Sequence, residues 1–84
     1  MGDLHNVSLT KSAKEELRGI PEPFNRQIAD KLRLLKDNPF PQGVKKLRGE
    51  DAYRIRSGDF RILYTVNGSE VVVYAVANRK DVYR

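Results

Sequence analysis

Four arginines and one tyrosine in the C-terminal half of the sequence could bind a phosphate and act on it. They are Arg54, Arg56, Arg61, Arg79 and Tyr83. The planar guanidinium group makes paired hydrogen bonds to phosphate oxygens, and a phenol can donate or accept a proton. These residue types therefore predict phosphate binding, with proton transfer at the same site as a further possibility.

Strand alternation predicts that three of the arginines share one face of a sheet. In the run Arg54-Ile55-Arg56 the two arginines point to one side and the isoleucine to the other. Arg61 alternates with Ile62 in the same way. Because like charges on one face repel each other, such a face is favoured when an anion neutralises it.

An alternative is that each arginine pairs with a nearby carboxylate on an ordinary surface. For any single arginine this is the simpler interpretation. For four arginines beside a tyrosine we favour the phosphate site. The acidic residues available for such pairs are Glu50, Asp51, Asp59 and Glu70.

The length and charge of the chain limit what kind of protein it can be. Its 84 residues predict a single domain over residues 1–84, and 16 Lys and Arg against 11 Asp and Glu give a net charge of +5. This bias favours a polyanionic partner, namely nucleic acid, an anionic membrane or an acidic protein. A basic surface without a specific partner is the alternative.

The composition also argues against several kinds of site. The chain has no cysteine and one histidine, His5, and its acidic residues do not cluster at metal-binding spacing. We therefore expect no metal and no cofactor. No apolar stretch is long enough to span a bilayer, so we expect no membrane partner and a cytoplasmic location.

The first twenty residues predict a strand followed by a helix. Residues Leu4–Leu9 have the alternation of a short strand, with His5, Val7 and Leu9 on one side and Asn6 and Ser8 on the other. Thr10 or Ser12 can cap the helix, and Gly19 ends it. We interpret His5, on the strand, as structural.

A second amphipathic helix follows. Pro23 suits its first turn, since the missing N–H would be unpaired there, and Asn38-Pro39 ends it. One apolar stripe predicts the face that packs in the core. The stripe consists of Phe24, Ile28, Leu32 and Leu35.

The C-terminal half predicts a basic loop over residues 40–49 and then three strands. Asn67-Gly68 predicts a type I′ hairpin turn, with positive φ at both residues. The run Val71–Val76 is apolar at every position, which indicates a central strand covered on both faces. The fold class is α+β, a helical hairpin on a small, mostly antiparallel sheet in the order β-α-α-β-β-β. The three predicted strands are Ala52–Arg56, Phe60–Val66 and Glu70–Ala77.

The same residues resemble a known family, the RelE/ParE superfamily of toxins from toxin–antitoxin systems. The resemblance covers essentially the whole chain, but its specific part is the last forty or so residues. The order and spacing of four short segments carry it. They are Lys46-Leu47-Arg48-Gly49, Tyr53-Arg54-Ile55-Arg56, Gly58-Asp59-Phe60-Arg61-Ile62-Leu63-Tyr64 and Asn78-Arg79-Lys80-Asp81-Val82-Tyr83-Arg84.

This resemblance implies a fold, an activity and a partner. The fold is two N-terminal helices against a twisted, mostly antiparallel sheet. RelE-type members cut mRNA in the ribosomal A site without a metal, by attack of a ribose 2′-OH on the adjacent phosphate. ParE-type members poison DNA gyrase instead. A cognate antitoxin protein holds both types inactive.

The resemblance also implies residue roles. Arg54 and Arg56 match basic residues near the scissile phosphate, Arg61 the transition-state arginine, and Arg79 the arginine near the leaving 5′-oxygen. Tyr83 matches the aromatic residue that orients or stacks on the substrate. Basic residues implied to bind RNA or ribosome are Lys45, Lys46, Arg48, Lys80 and Arg84.

The chain departs from the family pattern at two positions. Well-studied members carry lysine where this sequence has Arg54 and Arg56. Arginine effectively never gives up its proton, so we assign both residues to phosphate binding. Tyr83 is then our candidate for proton transfer, because nearby cations lower the pKa of a phenol from about 10.

Three other functions stay open at the level of sequence. The chain could be a ParE-like gyrase inhibitor, although that branch generally lacks the full set of arginines. It could bind nucleic acid without cleaving it. It could also be a degenerate toxin that retains only antitoxin binding.

Overall fold

The computed structural model describes residues 5–47 and 51–78, which form two helices and one five-stranded sheet. This confirms the α+β class. None of the helices in these ranges is long and apolar enough to cross a membrane. The elements are β1 Asn6–Leu9, α1 Lys11–Arg18, α2 Phe24–Asp37, β2 Lys45–Lys46, β3 Ala52–Ser57, β4 Phe60–Asn67 and β5 Glu70–Asn78.

The sheet order is β1-β5-β4-β3-β2, with β1 parallel to β5 and all other pairs antiparallel. The predicted order lacks β2, because the sequence places its two lysines in a loop. A two-residue strand has no alternation to detect, so only its pairing with β3 defines it. As predicted, β5 lies inside the sheet, but it is fully covered on the helix-facing side alone and not on both faces. Its helix-facing Val71 and Val73 are fully buried, whereas Val72 and Tyr74 are half-buried.

Helix α1 begins and ends where its capping residues predict. Thr10 is the N-cap, and its Oγ1 accepts a hydrogen bond of 3.2 Å from the Ala13 amide. Gly19 is the C-cap, and its N–H donates to the carbonyl of Glu16 at 3.1 Å. Ser12, the alternative cap, lies inside the helix.

Helix α2 begins one residue later than predicted. Pro23 has φ −88° and ψ 2°, outside the helical range, so it precedes the helix instead of forming its first turn. Within the helix, Ile28, Leu32 and Leu35 are buried, whereas Phe24 is 44% exposed. The predicted core stripe is therefore confirmed for three of its four residues.

The core lies between the two helices and one face of the sheet. Helix α1 packs against β5 and β1, and helix α2 against β1 and β3. At its centre, the fully buried Tyr64 donates a hydrogen bond of 2.6 Å from its hydroxyl to the Pro39 carbonyl. The largest fully buried side chains are Tyr64, Ile28, Leu35, Ile62, Val71 and Val73.

Both hairpins turn through a glycine in the first central position. Gly68 has φ 62° and Gly58 has φ 61°, and no other residue type in the described ranges has positive φ. Asn67 pairs with Glu70 as the last residue of β4. The prediction of a type I′ turn at Asn67-Gly68 is therefore wrong, because positive φ at the first central residue alone is the pattern of a type II′ turn.

Helix α1 contacts the sheet backbone close to an irregularity in β5. The register shifts between Leu63, which pairs with Ala75, and Tyr64, which pairs with Val73. Close by, the Val76 amide donates a hydrogen bond of 2.9 Å to Oε1 of Glu16. Helix α1 therefore supplies an acceptor to the strand beside its bulge.

Candidate phosphate-binding site

Strands β3 and β4 place two arginines directly opposite each other on the sheet face away from the helices. Arg56 and Arg61 are Cα partners in the ladder, and their neighbours Ile55 and Ile62 are 4% and 0% exposed on the helix side. Side chains at such positions start about 4.5–5.5 Å apart at Cβ. The predicted alternation of arginine and isoleucine is therefore confirmed.

Strand β2 adds one further pair of basic residues to this face of the sheet. Lys45 lies opposite Arg54, which is two residues from Arg56 on the same face of β3. The family resemblance implies that Lys45 binds RNA, but the sequence does not predict that Lys45 lies opposite an arginine. Lys46 is exposed and lies opposite Tyr53. We call Lys45, Arg54, Arg56 and Arg61 the basic face.

Carboxylates do not neutralise the basic face within the described residues. Glu70, one of the acids considered, instead accepts a hydrogen bond of 2.9 Å from Nδ2 of Asn6. Asp51 and Asp59 form no ion pair in these ranges, and Glu50 lies outside them. The alternative of paired arginines therefore has no support from these three acids. The ion pairs that are observed lie on helix surfaces, Arg26–Glu22 at 2.8 Å and Arg33–Asp30 at 2.7 Å.

Arg61 differs from Arg56 in its surroundings. Arg56 is exposed, whereas Arg61 is half-buried, and its Nε is closed to solvent without a hydrogen-bond partner in the described part of the chain. Charge interactions strengthen as water is excluded. Arg61 is therefore the member of the basic face best suited to stabilise negative charge.

The tyrosines of β3 and β4 serve packing, as predicted. The rings of Tyr53 and Tyr64 lie 5.9 Å apart, and Phe40 meets Tyr53 edge-on at 5.0 Å. Burial raises the pKa of Tyr64 to about 12, and the nearby Tyr53 adds to the increase. Tyr64 therefore stays neutral near pH 7 and does not carry protons for catalysis.

Several predicted site residues lie outside the described ranges, so their roles stay predictions. These include Arg79 and Tyr83, the proposed partners of the leaving oxygen and of the 2′-OH proton. The remaining members of this group are Arg48, Lys80 and Arg84.

The fold and the basic face together define a small α+β protein whose sheet carries a cationic face. A family model described as the ParE toxin of type II toxin–antitoxin systems matches residues 7–83, and the chain belongs to this toxin family. This confirms the resemblance to the RelE/ParE superfamily.

Individual relatives carry RelE names. A putative RelE-like toxin protein from Escherichia coli is 33% identical over 86 residues, covering 94% of this chain and 90% of its own length. The RelE–RelB complex from Pyrococcus horikoshii OT3 matches with a TM-score of 0.81 at 27% identity, over 90% of this chain and 96% of the other. The intact E. coli RelBE toxin–antitoxin complex matches with a TM-score of 0.76 at 28% identity, over 88% and 95%.

Proposed function

We propose that this toxin is an mRNA endonuclease of the RelE type, which acts in the ribosomal A site and is neutralised by a cognate antitoxin in the cytoplasm. The observation that carries the proposal is the opposition of Arg56 and Arg61 without a neutralising acid in the described residues. The RelE–RelB complexes among its structural relatives support an antitoxin partner.

The proposed reaction is an internal transesterification of RNA. The ribose 2′-oxygen forms a bond to the adjacent phosphorus as its proton leaves, and the bond from phosphorus to the 5′-oxygen breaks. The 5′-oxygen takes up a proton. The products are a 2′,3′-cyclic phosphate and a 5′-hydroxyl, and the step consumes neither water nor a metal ion.

The basic face suits the charge that develops in this reaction. Arg54 and Arg56 bind the non-bridging phosphate oxygens, and the half-buried Arg61 stabilises the charge on the pentacoordinate phosphorus. In this proposal, Arg79 donates to the leaving oxygen and Tyr83 accepts the 2′-proton. Near-full cleavage by a Tyr83→Phe variant would reduce that residue to a stacking platform.

Other basic residues hold the RNA and ribosomal backbone around the site. Lys45 extends the basic face, and Lys46 is exposed beside it. Such contacts give affinity that falls with salt and carry no sequence information of their own. The same role is proposed for Arg48, Lys80 and Arg84.

Gyrase inhibition is the second candidate function, because the matching family model is that of a ParE toxin. A gyrase inhibitor binds a protein and needs no in-line geometry at a phosphate. The arginine set favours RNA cleavage over this function.

A cell-free translation reaction with primer extension on the translated mRNA tests the proposal. We expect cuts at defined positions within codons for the wild-type chain, no cuts for Arg61→Ala, and unchanged cuts for Arg33→Ala. Arg33 is a matched control because it carries the same charge on the outer surface of α2.

A parallel assay with gyrase and plasmid DNA separates the two targets. Intact mRNA together with gyrase-dependent DNA breaks would overturn the proposal in favour of gyrase inhibition. Intact mRNA and intact DNA, with antitoxin still bound, would identify a degenerate toxin. RNA binding without cleavage would identify a plain binding domain.

A further inference from the structure

A cavity of about 340 Å³ opens at the outer edge of the sheet, beside the basic face. Its walls come from helix α2, from the loop that follows it and from strand β3. This size is at the low end of the range for small-molecule sites. The residues on which the argument depends are Lys31, Leu34, Gln42, Lys45, Arg54 and Arg56.

The charged residues of the cavity are all cationic. They are Lys31, Lys45, Arg54 and Arg56, and none of them forms an ion pair within the described ranges. Lys31 lies on helix α2, whereas Lys45, Arg54 and Arg56 belong to the basic face and lie at the sheet edge. This cationic surrounding favours an anionic ligand. Arg54 and Arg56 are also proposed to bind the scissile phosphate, so the cavity lies next to that phosphate in this proposal.

One wall of the cavity is apolar. Leu34 is 54% exposed there, although other leucines of α2 are buried, and Pro41 and Ile55 also line the cavity. An exposed leucine beside cations fits a ligand with a flat apolar body attached to an anion. A nucleotide has this composition, with its base on the apolar wall and its phosphate on the cations.

The backbone of β3 adds one donor and one acceptor at the cavity. The Leu47 amide donates a hydrogen bond of 2.8 Å to the Ala52 carbonyl, so Ala52 points its backbone groups toward β2. The backbone N–H and C=O groups of alternate residues in a strand point to the same side, so those of Arg54 and Arg56 also point to the β2 side. Strand β2 begins at Lys45, opposite Arg54, so no described strand covers the N–H and C=O of Arg56 on that side of β3, next to the cavity.

This short edge suits a nucleobase better than a peptide. Strand β3 ends at Ser57, so Arg56 is the one outward-facing residue beyond the end of β2. A peptide that adds as a strand needs a longer row of such groups. A base edge needs only a donor and an acceptor side by side.

We propose that this cavity binds the base of the RNA nucleotide next to the scissile phosphate, and that the Gln42 side-chain amide contacts its edge. The inference rests on the proposed function, since it assumes an RNA substrate. It deepens that function because it assigns a nucleotide preference to Leu34 and Gln42, which lie outside the basic face.

Binding of a six-nucleotide 2′-O-methyl RNA, which lacks the attacking hydroxyl, tests the inference by fluorescence anisotropy. One abasic site is placed at each position in turn. For the wild-type chain we expect one position at which the abasic site weakens binding roughly fivefold to tenfold, the low end for loss of one bound base. For Leu34→Asp we expect weaker binding overall and no further loss at that position.

Lys36→Ala is the matched control for Leu34→Asp. It changes the net charge by the same amount on an exposed position of α2 that does not line the cavity. We expect it to retain the full abasic loss. Gln42→Ala adds a test that does not depend on Leu34. Four hexamers that differ only in the base at the sensitive position are compared, and we expect Gln42→Ala to lessen the difference in affinity among them. The control Gln27→Ala should leave that difference unchanged.

The outcomes separate this inference from the proposed function. An abasic loss that persists in full in Leu34→Asp, or a wild-type chain that does not bind the hexamer, overturns the cavity assignment. Neither result affects cleavage in the translation assay, which decides the proposed function by itself. Loss of antitoxin binding by Leu34→Asp with the abasic loss intact would assign the cavity to a protein segment instead.

Discussion

Arg56 and Arg61 face each other across two strands, where like charges destabilise a sheet. A non-polar pair at these positions would avoid that cost. The arrangement is favourable once an anion lies between the two guanidinium groups, because each then forms charge-assisted hydrogen bonds. At the scale of single residues, the opposed pair is therefore the strongest sign of a phosphate ligand.

Removal of Arg61 should separate catalysis from folding. We expect Arg61→Ala to lower the single-turnover rate of mRNA cleavage on ribosomes roughly 10²- to 10³-fold, the usual effect of losing one preorganised charge donor. The midpoint of thermal unfolding should stay the same or rise, since repulsion with Arg56 is relieved. A mild loss equal to that of Arg33→Ala would indicate a plain binding surface.

Tyr64 is a residue whose hydroxyl serves stability alone. Tyr64→Phe leaves the buried Pro39 carbonyl without its donor, so we expect a loss of about 1–3 kcal/mol in the free energy of unfolding, measured by urea denaturation. Tyr53→Phe is the control, because the Tyr53 hydroxyl forms no hydrogen bond within the described residues. Equal losses from both would contradict this assignment.

The raised pKa of Tyr64 also predicts a pH dependence of stability. The unfolded chain loses this proton near the ordinary pKa of 10.0, whereas the folded chain keeps it until about pH 12. The contribution is therefore complete below pH 10 and is lost as the pH rises from 10 to 12. The free energy of unfolding of the wild-type chain should fall more steeply over this range than that of Tyr64→Phe, and parallel curves would refute the assignment.

At the scale of elements, helix α1 and strand β5 are joined by a hydrogen bond close to an irregular register. The Glu16 carboxylate accepts from the Val76 amide at 2.9 Å, close to the point where the β4–β5 register shifts. Strand β1 ends at Leu9, opposite Val73, so backbone groups on that side of β5 beyond Val73 have no described strand as a ladder partner. A side chain on a neighbouring helix can supply that partner and hold the strand in place.

Glu16→Ala should expose the importance of this contact. We expect a loss of about 1–3 kcal/mol in the free energy of unfolding, because a partly buried amide loses its acceptor. Glu16→Gln keeps an acceptor oxygen and should retain most of the stability. Glu15→Ala changes an exposed neighbour on the same helix and should stay within about 0.5 kcal/mol of wild type. Similar losses for Glu15→Ala and Glu16→Ala would rule out a specific contact.

Local chemistry in the sequence predicts most of these elements. The caps at Thr10 and Gly19, and the alternation of Arg54, Ile55 and Arg56, act within a few residues and need no tertiary context. The sequence predicts the position of the turn at Gly68 but not its type, since strand pairing decides whether Asn67 belongs to the turn. Strand β2 and the bulge in β5 depend on pairing alone, so no local pattern predicts them.

In the candidate site too, local patterns predict some features, whereas others depend on contacts between distant parts of the chain. Alternation places the arginines on one face, but the opposition of Arg56 to Arg61 depends on the register that the two-residue turn sets. The cavity at the sheet edge combines Lys31 and Leu34 of α2 with β3. Residues so distant in sequence meet only in the fold, and Leu34 appears in the sequence as one more apolar position on a helix.

At the scale of the whole molecule, the net charge of +5 adds a long-range attraction to the local contacts. Lys46→Ala should lower RNA affinity in a salt-dependent way, and reduce the slope of log affinity against log salt by about 1. The chemical step should be nearly unchanged. Anisotropy over a salt series measures the slope, with Lys36→Ala as the control. An unchanged slope, or a slower chemical step at saturating RNA, would contradict the role of Lys46.

The brevity of β2 has one more consequence, for self-association. It holds β2 to β3 through two residue pairs alone, and if so short a strand separates from β3, the exposed edge of β3 is long enough to pair with another copy. Arg54 and Arg56 on both copies would resist that approach by mutual repulsion. Variants that remove these charges to abolish activity are therefore expected to aggregate more readily, and bound polyanions would weaken the same protection.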